Sequence, residues 1–403
     1  MTSPILRSTV AIGLAALVVV TAGCAATSPA SSPQPSGTTT GLSFDESAMS
    51  EAVRSLGEEF GAPGVVAYVS TPDGLFIEEY GVTEFGGSTP VSVDQHFRIG
   101  SNTKTWTGTV ILQLAEEGAL SLDDPVSKYR PDVPGGDDIT IEQLLNMRSR
   151  LGNFTAALEH NEAMDADPQR VWQPEELIAI GYKQPLAEGE YLYSNTNTVL
   201  AALIAEQLEG KPIAEIFQER LFDPLGMDET VFPSIESHDL PEPFTHGYMY
   251  GTNVSTMDGP LTEAEQAEIA AGGMTPVDHT FDNPSWGWAA GAGISTVPDL
   301  VAWVQALTLG GVLDEEYQKL RMESPQLPDP SNPASAKYGL AIAQFGPLFG
   351  HSGELPGYNS FMGHDPEKDV TVVVWVNLAP LPDGRGPANA IAQELIRQVY
   401  AAP

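Results

Sequence analysis

The chain has 403 residues, 42% of them hydrophobic, which describes a globular protein with one large domain or two packed domains. It carries 18 Lys and Arg against 54 Asp and Glu, and the formal charge of −36 argues against nucleic acid as a partner and against electrostatic adhesion to an anionic membrane. Its single cysteine, Cys24, excludes an intrachain disulfide.

The N-terminal segment has the pattern of an export signal. Residues 1–7 carry a single positive charge, and the apolar run 11–20 is too short to span a bilayer with ease. The sequence TAGC that ends at Cys24 resembles a bacterial lipobox, in which the cysteine is lipidated and becomes the mature N-terminus. We therefore predict a signal peptide over residues 1–23 and a lipid anchor at Cys24 that holds the exported protein at the outer face of the cell membrane. An ordinary signal peptide cut nearby and an uncleaved anchor are the alternatives.

A tether and then a folded region follow the signal. Residues 24–43 are rich in Ser, Thr, Pro and Gly without apolar periodicity, which is typical of a flexible linker. Folding is predicted to begin near Phe44, with a helix over 44–60. Strands over 64–70 and 75–80 flank the turn sequence TPDG, which indicates a hairpin.

Helices dominate the middle of the chain, and a second hairpin lies near its end. A buried helix is predicted to begin at Ser101 and to end near Gly118, and a capping box at Thr140 starts the next helix. The region 232–284 reads as irregular. The remaining elements are helices over 173–182, 197–208, 213–221, 299–309 and 387–400, and a hairpin of strands 359–363 and 370–377.

This order of elements predicts an α+β fold. Strand pairs near both ends favour one antiparallel sheet built from the two ends, with flanking helices and an inserted, mainly helical domain. The sheet part would comprise residues 44–95 and 285–400, and the helical part residues 96–284. A cleft between the two parts is the expected place for a functional site.

The pair Ser101 and Lys104 is the first candidate for chemistry. A spacing of three residues on a helix places both side chains on one face, with about 5–6 Å between their Cβ atoms. A serine hydroxyl is a weak nucleophile until a base takes its proton, and a lysine with a depressed pKa can be that base. The alternative is that Ser101 caps the helix and Lys104 points to solvent.

Two further segments could complete such a site. Tyr193, in the sequence YSN, offers a phenol as proton relay, and Asn195 offers an amide to hold substrate or Lys104. The sequence HSG from His351 to Gly353 could form an extended segment along which a substrate pairs, with the glycine allowing close approach. The Glu354 amide would complete an oxyanion hole with that of Ser101. Taken alone, each segment is also compatible with an ordinary loop or turn.

Together the three motifs carry a family resemblance. They stand in the order S-x-x-K, Y-x-N and H-x-G at positions 101, 193 and 351, within the segments FRIGSNTKTWTG, GEYLYSNTNTVLAALIAE and HSGELPGYNS. From Phe44 to Tyr400 the chain resembles the penicillin-recognising serine hydrolases, in the branch of D-alanyl-D-alanine carboxypeptidases and class C β-lactamases. The resemblance implies a β-lactamase/transpeptidase-like fold for residues 44–400.

The resemblance also implies roles for single residues. Ser101 would form the acyl-enzyme, Lys104 would act as base and Tyr193 would pass a proton to the leaving group. No metal or cofactor is implied, and the oligomeric state is left open. The residues expected to bind and orient substrate are Asn195, Trp286, His351, Ser352, Gly353 and Glu354, with simple core packing as the alternative for Trp286.

Three departures from the family pattern bear on the activity. Arg150 stands where the family usually reads Ser-Gly-Leu, so a loop near the site is expected to differ. His351 stands where β-lactamases usually have lysine, and a neutral imidazole attracts a substrate carboxylate less than an ammonium does. The chain also shows no obvious deacylating glutamate loop of the class A type, which weakens the case for efficient β-lactam turnover.

The resulting prediction is an exported serine hydrolase of the D-Ala-D-Ala carboxypeptidase type acting on cell-wall peptides. Its substrate would be a small peptide, an ester or a β-lactam, and an esterase or a weak β-lactamase on the same residues is the near alternative. A catalytically silent protein that binds wall fragments or penicillin is the alternative from another class. The sequence contains no G-x-S-x-G and no H-E-x-x-H motif, which disfavours an α/β-hydrolase and a zinc hydrolase.

Overall fold

The computed structural model describes residues 41–401. The predictions of a signal peptide, of lipidation at Cys24 and of a linker before Gly41 therefore concern residues outside the described range. Within that range, none of the helices combines the length and the apolar character needed to cross a bilayer.

The described residues form thirteen α-helices and eleven strands. The helices are α1 Glu46–Phe60, α2 Thr103–Glu116, α3 Ile141–Leu145, α4 Leu158–Ala166, α5 Pro174–Lys183, α6 Asn195–Glu209, α7 Ile213–Phe217, α8 Asp223–Leu225, α9 Asn253–Thr256, α10 Glu263–Ala270, α11 Val297–Leu309, α12 Glu315–Glu323 and α13 Pro387–Val399. The strands are β1 Gly64–Thr71, β2 Gly74–Gly81, β3 Phe97–Arg98, β4 Tyr248–Met249, β5 Val277–Asp278, β6 Ile294–Ser295, β7 Lys337–Tyr338, β8 Ala343–Phe345, β9 Leu348–Leu355, β10 Tyr358–Asp365 and β11 Val370–Val376.

One antiparallel sheet of seven strands organises the fold, in the order β2-β1-β11-β10-β9-β8-β7. Strand β1 from the beginning of the chain pairs with β11 from its end, which confirms the prediction of a sheet built from both ends. The predicted hairpin turn is also confirmed, because Thr71 pairs with Gly74 at the end of β1 and β2. The sheet and its flanking helices confirm the predicted α+β fold class.

The side chains of the central strand β11 point alternately to the two faces of the sheet, and both faces are covered. In β11, Val372, Val374 and Val376 belong to the apolar cluster that includes residues of α1 and α13. Val373 and Trp375 point to the opposite face and join the larger cluster that includes residues of α2, α6 and α11. Successive strand residues face opposite sides, so a strand buried on both faces reads as a continuous apolar run. Full burial of each such side chain stabilises the fold by about 1.5–3 kcal/mol.

The helical segment begins and ends beside the sheet. Strand β3 before α2 pairs with β6 before α11, so the chain leaves and re-enters the sheet region through one short antiparallel pair. Helix α2 is buried on all sides from Thr103 to Ala115, which extends the predicted buried helix to its first turn. Two predicted helices differ in detail. Ser101 lies in a 3₁₀ turn, Gly100–Asn102, before α2, and the helix predicted over 213–221 ends at Phe217 and continues as a π-helical turn.

Candidate active site

Ser101 and Lys104 are in direct contact at the start of the buried helix. Lys104 Nζ donates hydrogen bonds to Ser101 Oγ at 2.9 Å and to the Ala290 carbonyl at 2.8 Å. The Lys104 side chain is fully buried, whereas Ser101 is partly exposed. The amine is therefore held between the hydroxyl and a backbone carbonyl, where it can reach the hydroxyl proton.

Burial gives Lys104 the properties of a base. Removal from water disfavours the charged form and lowers the pKa of Lys104 well below its ordinary value. A neutral amine has a free electron pair, so the contact with Ser101 can also run with the hydroxyl as donor. This arrangement lets the serine oxygen become nucleophilic without a histidine.

Tyr193 completes the group of polar atoms around the Ser101 hydroxyl. Its phenol lies close enough to the Ser101 side chain for that hydroxyl to influence its pKa, and Lys104 Nζ lies 5.0 Å from the centre of its ring. Burial raises the pKa of the Tyr193 phenol, which keeps it protonated and able to donate. Ser101 and Tyr193, which are 92 positions apart in the chain, thus lie side by side in one cleft, as the sequence motifs predict.

Strand β9 passes directly against the 3₁₀ turn Gly100–Asn102, which contains Ser101 and is called the nucleophile turn below. A Cβ atom added to Gly100, whose φ is +57°, would lie 2.5 Å from the Glu354 amide nitrogen. A Cβ atom on Gly353 would overlap the Ile99 carbonyl oxygen. The close approach places the Glu354 amide beside the Ser101 turn, as an oxyanion hole formed by both amides requires. Gly353 is therefore needed for contact with Ile99, a reason for its missing side chain that differs from the predicted approach of substrate.

Two buried side chains fix this junction, and sequence reasoning missed both. The Ile99 carbonyl accepts hydrogen bonds from Asn102 Nδ2 at 2.9 Å and from Ser360 Oγ at 2.8 Å. Asn102 Nδ2 also donates to Ser360 Oγ at 2.8 Å. The Ser101 turn is thereby tied to β10. Asn102 lies next to the nucleophile in the chain, but nothing in the sequence indicates that Ser360 is its partner.

His351 is a neutral hydrogen-bonding group. Its Nδ1 lies 2.6 Å from the Ser352 carbonyl, which can only accept, so Nδ1 carries the proton. Its Nε2 then accepts from the Tyr338 hydroxyl at 3.1 Å. Burial and the nearby Lys104 lower the pKa of His351 to about 3. The side chain consequently offers a polar but uncharged surface at neutral pH.

Tyr338 on β7 is a site residue that the sequence motifs do not reveal. Its ring packs edge-on against those of Tyr193 and His351, with centroids 5.7 Å and 5.6 Å away, respectively. It therefore contacts members of two of the three motifs. An aromatic residue in a short edge strand carries no signal of this role, since it depends on which strand β7 joins.

Replacing Tyr338 by phenylalanine is expected to lower kcat/KM about tenfold, because His351 Nε2 loses its donor while the ring packing remains. An unpaired buried acceptor costs about 1–3 kcal/mol. Steady-state kinetics on a chromogenic ester would measure the effect. Tyr317→Phe on α12 serves as the matched control and should retain full activity. Equal activity of both variants would contradict the positioning role of Tyr338.

The Ser101 hydroxyl opens into a cleft of about 360 Å³ that the sheet part and the helical part both line. Aromatic side chains form much of one wall, and the β9 segment from His351 to Glu354 forms another. The lining residues are Ser101, Tyr191, Tyr193, Ala336, Lys337, Tyr338, Ala343, Phe345, His351, Ser352, Gly353, Glu354, Asn359 and Asn389. A cleft of this size accommodates a small peptide or amide.

Two predicted substrate-binding residues lie outside this lining. The Asn195 side chain donates to Asn153 Oδ1 at 3.3 Å and to Thr155 Oγ1 at 3.0 Å, in place of the expected contact with Lys104. Trp286 is partly buried, and its ring packs edge-on against His160 with a centroid distance of 6.1 Å. The structure thus places Asn195 in contact with the helical part and Trp286 in the packing that surrounds His160.

The packing around His160 can be tested through the pH dependence of the free energy of unfolding. Both ring nitrogens lack a hydrogen-bond partner in the described structure, and burial, followed by the charge of Arg170, lowers the pKa of His160 from 6.5 to about 4. The unfolded state then binds the proton more readily, so the free energy of unfolding falls as the pH drops below about 6.5. We expect His160 to lower the free energy of unfolding by about 2 kcal/mol between pH 7.5 and pH 5.

Urea unfolding at the two pH values, for the wild type and for His160→Phe, would measure this contribution. Phenylalanine fits the aromatic surroundings and cannot take up a proton. The variant should therefore lose about 2 kcal/mol less than the wild type. An equal loss in both proteins would show that His160 is accessible to protons in the folded state.

Arg150 adopts the left-handed backbone conformation, with φ of +66°. This is the region that glycine enters without steric cost, and glycine is the residue that the family pattern has in this segment. Arg150 Nε donates to the Ala187 carbonyl at 2.7 Å, and the Ala187 amide donates back to the Arg150 carbonyl at 3.0 Å. The substitution thus ties this loop to the segment that leads to Tyr191 and Tyr193.

The fold and the arrangement around Ser101 define a class of protein, the serine hydrolases that use lysine as base and form an acyl-enzyme. Comparison with known families agrees with this assignment. The family model described as Beta-lactamase matches residues 49–396, and the chain belongs to this family. Its members are serine hydrolases, and so is this protein.

The names of similar proteins refer to penicillin binding, to D-alanyl-D-alanine carboxypeptidase activity and to D-stereospecific amide hydrolysis. Penicillin-binding protein 4* of Bacillus subtilis is 28% identical over 318 residues, which cover 76% of this chain and 66% of that protein. The D-alanyl-D-alanine-carboxypeptidase/endopeptidase AmpH of Escherichia coli is 24% identical, over 80% of this chain and 81% of its own. A crystal structure of a D-stereospecific amidohydrolase from Streptomyces matches with a TM-score of 0.73 and 26% identity, over 89% of this chain and all of that one.

Proposed function

We propose that this protein hydrolyses D-alanyl peptide or amide bonds in peptides derived from the cell wall, through an acyl-enzyme on Ser101. The observation that carries the proposal is the contact of one partly exposed serine hydroxyl with a buried amine and a protonated phenol at the bottom of a cleft. Relatives that act on D-alanyl peptides and D-amides support the substrate class. The D-Ala-D-Ala carboxypeptidase type predicted from the sequence is one form of this activity.

The geometry accounts for each proton in the acylation step. Ser101 Oγ attacks the carbonyl carbon of the substrate while its proton moves to Lys104 Nζ. The oxyanion that forms is held by the backbone amides of Ser101 and Glu354. When the tetrahedral intermediate collapses, Tyr193 donates its proton to the leaving nitrogen, and the phenol is reprotonated from Lys104. Attack of water on the ester then releases the acid and restores Ser101.

Covalent labelling tests the proposal directly. The full-length protein should react with a fluorescent penicillin and should release D-alanine from a peptide that ends in D-Ala-D-Ala. Ser101→Ala should do neither, because both reactions need the hydroxyl oxygen. Binding of wall peptides with no labelling, no release of D-alanine and no ester hydrolysis would refute the proposal and favour a silent binding protein.

Export with a lipid anchor at Cys24 is part of the same proposal, since cell-wall peptides lie outside the cytoplasm. The support is the TAGC sequence and the apolar run before it. Cys24→Ser should move the protein from the membrane fraction to the soluble fraction of bacterial cells and abolish labelling by a palmitate analogue. Membrane association that is unchanged in Cys24→Ser would refute lipidation and indicate an uncleaved anchor.

A further inference from the structure

Tyr193 is held through both of its neighbours in the chain, and a single residue of another loop holds them both. The Leu192 amide donates to the Met147 carbonyl at 3.1 Å. The Ser194 amide donates to the Met147 sulfur at 3.5 Å, a distance at which a thioether acts as a weak acceptor. The backbone on either side of Tyr193 is therefore attached to Met147.

The backbone of Met147 adopts a conformation that needs support from its surroundings. Its φ is +62°, in the left-handed region that residues with a Cβ atom rarely occupy, and such a residue persists only where neighbouring contacts fix it. The Met147 amide donates to the Leu144 carbonyl at 3.4 Å, and the Arg148 amide donates to the Gln143 carbonyl at 2.9 Å. These bonds tie the turn to the end of α3, and both the carbonyl and the sulfur of Met147 reach the Tyr193 segment.

The Met147 side chain lies behind the wall of the cleft. It belongs to a small apolar cluster with Tyr338 and Ala343, and Tyr191 and Tyr193 pack against this cluster. The other four residues contribute to the cleft lining, whereas Met147 is only 1% exposed and is not part of the lining. Met147 therefore does not touch a substrate, and its effect on the reaction has to pass through the residues that it holds.

The sulfur has a second polar contact, in the first turn of α6. Asn197 Nδ2 donates to Met147 Sδ at 3.4 Å, and Asn197 Oδ1 accepts from Ser149 Oγ at 2.6 Å. Within residues 41–401, the structure gives neither the Ser194 amide nor Asn197 Nδ2 another hydrogen-bond acceptor. Removal of the sulfur would leave two buried donors unpaired, one of them directly after Tyr193 in the chain, so this segment would have to move.

We infer that Met147 is a positioning residue for Tyr193, which fixes the place of the phenol relative to the leaving group. The inference rests on the proposed function, in which the phenol gives its proton to the leaving nitrogen. Transfer of that proton needs a distance of about 2.6–3.2 Å between the heavy atoms, and a misplacement of about 1 Å can cost about 10²-fold. Loss of the sulfur should therefore slow the departure of leaving groups that need a proton and spare those that do not.

Two chromogenic substrates with the same acyl group separate these cases. N-acetyl-D-alanine p-nitroanilide releases an amine that has to be protonated as the C–N bond breaks, whereas the p-nitrophenyl ester releases a stable phenolate. Leucine conserves the volume of methionine and removes the acceptor. We expect Met147→Leu to lower kcat/KM about tenfold for the anilide and less than about twofold for the ester.

Two further variants control this comparison. Met227→Leu changes a methionine that is equally buried but lies outside the cleft lining, and it should keep both wild-type values. Met147→Gln replaces the sulfur by an amide group of similar length, whose oxygen accepts hydrogen bonds. It should bring the ratio of ester to anilide kcat/KM back to within about threefold of the wild type. Thermal melting of each variant checks folding.

The outcomes separate the inference from the function beneath it. Equal losses on the anilide and the ester in Met147→Leu would show a merely structural role, and wild-type values on both would show none; either result overturns the inference and leaves the proposed function intact. The same ratio in Met147→Gln as in Met147→Leu also overturns the role of the sulfur. If the wild type hydrolyses neither substrate and penicillin does not label Ser101, the proposed function and the inference both fail.

Discussion

Replacing Lys104 by methionine is expected to lower kcat/KM about 10³- to 10⁴-fold, the range that removal of a general base produces. Methionine matches the length of the lysine stem and needs no hydrogen-bond acceptor. The Ser101 hydroxyl would then lose the amine that contacts it and takes its proton. Because Tyr193 keeps its proton, it does not replace the missing base.

The stability of the Lys104→Met protein should change little, since two effects oppose each other. The Ala290 carbonyl loses its donor, which costs about 1–3 kcal/mol, but an amine no longer has to be buried. Kinetics on D-alanine p-nitroanilide, or on the D-Ala-D-Ala peptide, together with thermal melting separate the two quantities. Lys319→Met on the exposed face of α12 is the control and should behave like the wild type. More than a tenth of wild-type activity in Lys104→Met would refute its role as base.

The pH dependence of the wild-type kcat/KM provides a second test of the role of Lys104. Lys104 must be uncharged to accept the proton, so kcat/KM should rise as the pH increases through its pKa. Burial lowers that pKa below the ordinary lysine value, and the rise should therefore be complete well below pH 10.5. A rise centred near the value of an exposed lysine would mean that the amine is hydrated in solution.

Replacing Gly353 by alanine is expected to lower kcat/KM about 10²- to 10³-fold. The added Cβ would overlap the Ile99 carbonyl oxygen and lie 2.7 Å from Ser360 Oγ, so β9 or the Ser101 turn has to move. A displacement of about 1 Å in an active site costs about 10²-fold, and the loss of an oxyanion donor costs 10²- to 10³-fold. The same overlap breaks the hydrogen bonds to Ile99, and the melting temperature should fall as well.

A second glycine provides the matched control for Gly353→Ala. A Cβ atom added to Gly189 would meet no atom within 4 Å, so Gly189→Ala should keep the wild-type kcat/KM and melting temperature. Gly353→Ala should in addition show weaker binding of a boronic acid inhibitor, which mimics the oxyanion. Wild-type kinetics for Gly353→Ala would show that the nucleophile turn and β9 are not in contact in solution.

The sequence predicted well those features that depend on neighbouring residues. The capping box at Thr140 and Gln143, the hairpin turn before Gly74 and the terminal helix α13 follow from local hydrogen bonding and apolar periodicity. The boundaries of the helix at Ser101 were less accurate, because the turn that holds the nucleophile is shaped by its contact with β9. Propensity along the chain contains no information on that contact.

The contacts in the candidate site likewise divide into those that the sequence predicts and those that only the folded structure determines. Ser101 and Lys104 could be paired from their spacing, since one helical turn brings them together. The partners of Asn195 could not be predicted from spacing. Asn153 and Thr155 lie about 40 positions earlier in the chain and contact Asn195 only in the folded helical part. Trp286 has a sequence context that suggests a cleft, yet its ring packs against His160.

The amino-acid sequence by itself determined the family, the three motifs and the order of helices and strands, because these are written in local spacing and apolar patterning. Only the tertiary structure decided that Tyr338 holds His351, that Ser360 ties down the nucleophile turn and that Asn359 holds the Glu354 side chain. The physical reason is that these relations join residues from separate strands, and the pairing of strands fixes their distances. A charge or a hydrogen bond between them therefore has no counterpart in the linear pattern.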